Sequence, residues 1–87
     1  MPEVMMRASH LEVNEVHDGY IVYHSSRDTV CYLNTTAAII FEFCDGKLDT
    51  EEIVACVAKI FDLGDSAHTE IRRCVDELIK EGLIQSN

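Results

Sequence analysis

Apolar and polar positions alternate near the start of the chain and then change period. Leu11 and Val13 alternate with Glu12 and Asn14, the two-residue repeat of a half-buried strand. Asp18-Gly19 follows as a hairpin turn signal. Tyr20-Ile21-Val22-Tyr23 is β-branched and aromatic until Ser25-Ser26-Arg27-Asp28 breaks it, and Thr29-Val30-Cys31-Tyr32-Leu33 forms a third apolar run. The pattern predicts a three-stranded antiparallel meander over about residues 10–33.

From Asn34 the period becomes helical. Asn34, Thr35 and Thr36 offer N-cap oxygens ahead of Ala37-Ala38-Ile39-Ile40-Phe41-Glu42-Phe43, and Asp45-Gly46 reads as the stop. Asp49-Thr50-Glu51-Glu52 has the spacing of a capping box. Behind it Ile53, Cys56, Val57 and Ile60 recur at helical intervals, with Gly64 as the stop. A third helix begins near Ser66, carries Ile71, Cys74, Val75, Leu78 and Ile79, and ends at Gly82. Its polar face holds Arg72-Asp76 and Asp76-Lys80 at i, i+4. The fold class predicted is α+β, a three-stranded antiparallel sheet followed by three helices. A three-stranded sheet has two open edges, and Thr29 to Leu33 carries no Lys, Pro or Gly to blunt its own. That edge invites a pairing partner, and it could also pair two copies of the chain into a homodimer.

Composition narrows the function. The 87 residues, enough for one small domain, hold 7 Lys or Arg against 16 Asp or Glu, a formal charge of -9. Affinity for nucleic acid and for anionic membranes comes from cationic side chains, so both partners are disfavoured. Residues 1–9 contain no signal-peptide apolar run and no stretch approaches a membrane span. The expectation is a cytoplasmic protein whose four cysteines, Cys31, Cys44, Cys56 and Cys74, are reduced.

Catalytic and metal chemistries find little support. Four Cys and four His lack the close pairs from which zinc sites are built. Cys56 and Cys74 fall on apolar helix faces, where cysteine packs as a small hydrophobe, while Cys44 at a helix end is open to exposure. No nucleophile elbow organises a thiol or hydroxyl, and Asp45-Gly46-Lys47 lacks phosphate-loop glycine spacing. Glu51-Glu52 is explained by the positive end of a helix. The chain therefore reads as a binding module without metal, cofactor or enzymatic activity. A winged-helix transcription or assembly factor is the alternative, but its reading helix would set Arg72, Arg73 and Lys80 against Glu70, Asp76, Glu77 and Glu81.

The order Tyr20-Ile21-Val22-Tyr23-His24, then Val30-Cys31-Tyr32-Leu33-Asn34-Thr35-Thr36-Ala37-Ala38, then Cys44-Asp45-Gly46, resembles the PqqD-like family of RiPP recognition elements. Glu52-Ile53 and Leu78-Ile79 with Gly82-Leu83-Ile84 extend the likeness over about residues 11–84, an ordered core within a single domain spanning 1–87. Thr35 stands where many members have Pro, and Ser25 to Asp28 lacks their usual turn Pro or Gly. The resemblance implies a winged-helix-like fold that binds a precursor's leader peptide, which adds as a strand to the third strand and lies against the third helix. It also implies delivery to a modifying enzyme, often a radical S-adenosylmethionine (SAM) enzyme.

Strand addition sets a physical requirement. Backbone hydrogen bonds contribute about 0.5–1.5 kcal/mol each, while ordering the peptide costs about 1–2 kcal/mol per residue. Buried apolar anchors, at about 1.5–3 kcal/mol each, must supply the surplus. The expected contacts are Thr29, Val30, Cys31, Tyr32 and Leu33 on the strand, with Val75 and Ile79 as the groove and Arg72 at its rim. Cys74, on the other side of that helix face, is the second choice of lining, and Val75 reads equally well as ordinary core.

Overall fold

The computed structural model describes residues 3–62, 64 and 67–86. In chain order it contains β1 (Val4–Arg7), β2 (Leu11–Val16), β3 (Gly19–His24), β4 (Thr29–Asn34), α1 (Thr35–Phe43), β5 (Asp45–Asp49), α2 (Thr50–Ile60), α3 (His68–Lys80) and β6 (Ile84–Ser86). The α+β class and the three helices are as expected, and β2, β3 and β4 form the antiparallel meander that the alternation predicts.

The β3–β4 register sets Tyr20 opposite Leu33 and Val22 opposite Cys31. These four share the face that packs on the core, with Val22 and Leu33 buried. The other face leaves Val30 66% and Tyr32 54% exposed. The turn before β3 is His17-Asp18, one residue earlier than expected. Gly19 is already a strand residue, and a Cβ there would collide with the Leu33 carbonyl. Close backbone approach, rather than the turn itself, demands glycine at this position.

A second three-stranded sheet, in the order β5-β1-β6, corrects the one-sheet expectation. Met6 pairs with both Asp45 and Gln85, so β1 is held by partners distant in sequence. Asp45-Gly46-Lys47-Leu48-Asp49 has neither alternation nor β-branched residues, so its strand character comes from that pairing. Gly46 does take a positive φ of 87°, yet it lies within β5, where the register with β1 shifts, and not at a helix stop.

The helix ends follow local chemistry. Asn34 caps α1 by accepting the Ala37 N–H at 2.9 Å. Asp49 and Glu52 form the reciprocal capping box of α2, at 2.8 and 3.0 Å. That helix stops before Gly64: Asp62 takes the left-handed conformation, φ 53°, and Gly64 does not. The expected start of α3 at Ser66 lies outside the described residues. At its other end Gly82, φ 77°, donates to the Ile79 carbonyl and Leu83 to that of Leu78, a Schellman motif.

The helices close over one core, in which Ile40, Phe41, Ile53, Val54, Val57, Val75 and Leu83 are almost completely buried. Phe41 ties the layers together: Tyr20 from β3 meets it edge-on at 6.3 Å, and the Arg7 guanidinium from β1 lies 5.7 Å from its centroid.

Candidate functional site

β4 pairs with β3 on one side only, so its other edge presents unpaired backbone donors and acceptors. Alongside it runs α3, and between the two lies a cleft of about 430 Å³. Leu33, Ala37, Leu78 and Leu83, all buried, form an apolar floor. Half-buried Cys31 and Cys74 stand on opposite walls, while Glu77 and Glu81 border it from the helix. The Schellman turn contributes directly, because it folds Leu83 back beside Leu78. A smaller hollow of about 310 Å³ shares Asn34 and Cys74 and continues the groove toward Ala67 and Ile71.

The stripe of α3 that faces β4 is thus Cys74, Glu77, Leu78 and Glu81, whereas the expected groove was Val75 and Ile79 with Arg72 at its rim. Val75 is completely buried and belongs to the core. Arg72 points to α2 and donates to both carboxylate oxygens of Glu51, at 2.9 and 2.7 Å, instead of pairing with Asp76 along its own helix. Ile79 lies among Ala8, His24, Arg27 and Ile84, around a separate hollow of about 440 Å³. Of the expected strand residues, Cys31, Tyr32 and Leu33 border the β4–α3 cleft, and Thr29 and Val30 continue the same edge.

A larger depression of about 530 Å³ lies between the β2–β3 turn and α1, with Glu15, His17, Thr35 and Glu42 among its walls. Val16, Tyr20, Ala38 and Ile39 also line it, but of these only Ala38 is buried, and β2 beside it is mostly exposed and carries Glu12 and Glu15. The β4–α3 cleft combines an open strand edge with a floor of four buried apolar side chains and a facing helix.

Three thiols, those of Cys31, Cys74 and Cys44, are held toward the protonated form. Burial raises Cys31, and Glu81, which accepts from its Sγ at 3.7 Å, adds to the effect. Burial also raises Cys74, helped by the charge of Glu77. Cys44 is completely buried although it ends a helix, and its Sγ donates to the Ile40 carbonyl at 3.2 Å. Burial pushes its thiol up to about 12. All four cysteines are free. Among the described residues no group of three or more His, Cys, Asp or Glu could hold a metal ion, and no helix is long and apolar enough to cross a membrane.

No sequence among curated proteins matches the chain. Among solved structures it is similar to TbiB1 in complex with the TbiA(beta) leader peptide, with a TM-score of 0.76 at 15% identity, covering 92% of this chain and 94% of that one. At that identity the likeness establishes the fold. Residues 19–84 match the family described as Coenzyme PQQ synthesis protein D (PqqD). A match over most of the chain, on a fold shared with TbiB1, makes this protein a member of the PqqD family.

Proposed function

We propose that the chain binds the leader segment of a ribosomally made precursor peptide by strand addition to β4, and presents it to a modifying enzyme such as a radical SAM enzyme. The observation that carries this reading is the unpaired β4 edge lying across an apolar-floored cleft from α3. The similar structure, TbiB1, is a complex with a leader peptide, which supports the same class of ligand here. We read the β2–β4 meander and the three helices as winged-helix-like, with the chain acting as a peptide chaperone and the chemistry residing in its partner.

The physics favours this edge. Backbone ladder bonds roughly offset the cost of ordering the peptide, at about 1 kcal/mol per bond against about 1–2 kcal/mol per residue. One or two side chains seated on Leu33, Ala37, Leu78 and Leu83 supply the surplus, about 1.5–3 kcal/mol for each large group fully buried.

The test is a titration of the labelled chain with the small peptide encoded beside its gene, followed by amide NMR. Shifts are expected along Thr29 to Leu33 and at Cys74, Glu77, Leu78 and Glu81. Shifts confined to the depression between β2 and α1 would sink strand addition. Duplex DNA is the control ligand: tight, salt-sensitive binding to it would favour a transcription factor.

A further inference from the structure

Glu77 and Glu81 stand four residues apart at the C-terminal end of α3, and both border the β4–α3 cleft. Helix physics disfavours this placement. Like charges at i and i+4 repel, and the last turn already carries the negative end of the helix dipole. Among the described residues neither carboxylate is ion-paired, whereas Arg72 is committed to Glu51 and Arg7 to Glu42. Glu81 instead reaches across the cleft to accept the Cys31 thiol of β4. Two negative charges thus flank an apolar floor, on the side where an added strand would lie.

The spacing fits such a strand. Side chains on one face of a strand recur every two residues, about 6.6 Å apart, while a four-residue step along a helix rises about 6 Å. Successive cleft-facing side chains of the ligand therefore meet successive positions along α3. The Cys31–Glu81 contact fixes the polarity: the acidic end of the cleft lies by Cys31, and the groove continues toward Asn34 and Cys74.

We propose that the segment held against β4 seats an apolar side chain on Leu33, Ala37, Leu78 and Leu83 and carries a lysine or arginine two residues away, its cation facing Glu77 and Glu81. The proposal rests on the peptide-binding reading above and adds the chemistry of the ligand. Its cation sits at the Cys31 end of the cleft and relieves the repulsion between the two carboxylates. The charge of -9 is consistent with a basic ligand.

Selection of random displayed peptides on the full chain tests this. The enriched sequences should place Lys or Arg two residues from Leu, Ile, Val, Met or Phe. Their affinity should fall about three- to tenfold in Glu77→Gln/Glu81→Gln and in high salt, since two partly exposed ion pairs are lost. These substitutions keep the side-chain shape, and circular dichroism checks the fold. A Glu81→Lys chain should in turn favour peptides with Glu at the basic position. Enriched peptides without a basic bias, or with affinity unchanged in the double variant, would overturn the proposal, and shifts of the β4 amides would then show strand addition intact. Peptides that bind without moving the β4 amides, or no enrichment at all, would overturn strand addition as well.

Discussion

Each thiol reports on its own surroundings. Alkylation proceeds through the thiolate, so a raised thiol pKa slows it at neutral pH. Iodoacetamide should modify Cys31 and Cys74 more slowly than an unhindered thiol and reach Cys44 only after denaturation, as read by mass spectrometry. Saturating leader peptide should protect Cys31 and Cys74 further while leaving Cys56, which borders neither the β4–α3 cleft nor its continuation, unchanged. Protection of Cys56 alone would place the ligand elsewhere. Gly19 is the other telling residue. Gly19→Ala should destabilise the chain by about 2 kcal/mol or more, because the new Cβ must displace the β4 backbone at Leu33. Thermal unfolding measures the loss, and peptide affinity should fall with it. A turn glycine was readable beside Asp18, but its actual constraint was not, since the colliding carbonyl belongs to another strand.

Among the elements, α2 is the most legible. The capping box of α2 is written in four consecutive residues and forms as read, so Asp49→Ala should cost about 1 kcal/mol in chemical denaturation. The tie between α2 and α3 gives a pH signature. Arg72 holds the Glu51 carboxyl below the usual carboxylate range, so the tie stabilises the fold above the ordinary Glu pKa and is lost as pH falls through the lowered one. Glu51→Gln should therefore lower the melting temperature at neutral pH and converge with the parent chain in strong acid. For β4, neighbouring strand residues send their N–H groups to opposite sides. One of Val30→Pro and Cys31→Pro should thus remove an outward donor, keep a native circular dichroism spectrum and lose peptide binding. Retained binding in every folded proline variant would mean that the edge is not used. The face of α3 turned to β4 is not legible from a helical wheel, which identifies a buried stripe but not the element lying beside each of its margins.

At the scale of the molecule, ligand binding and stability are linked. A peptide at about 100 times its Kd should add about 2.7 kcal/mol, raising the melting temperature by about 10–20 °C in a domain of this size. A rise that survives the proline variant lacking the outward donor would argue against the β4 edge. The meander, the three helices, the N-caps of α1 and α2, the Gly82 stop and the acidic surface could be read from the chain, because alternation, helical period and capping act between residues a few positions apart. Contacts between distant residues were out of reach. Met5 pairs with Ser86 and Met6 with Asp45, so a second sheet exists only once the chain has closed on itself. The same closure buried Val75, committed Arg72 to α2 and turned Cys74, Leu78, Glu77 and Glu81 toward β4. Local pattern specifies which residues form an element and which of its faces is apolar. The neighbour that each face meets follows from packing all the elements together, and the cleft is made of those neighbours.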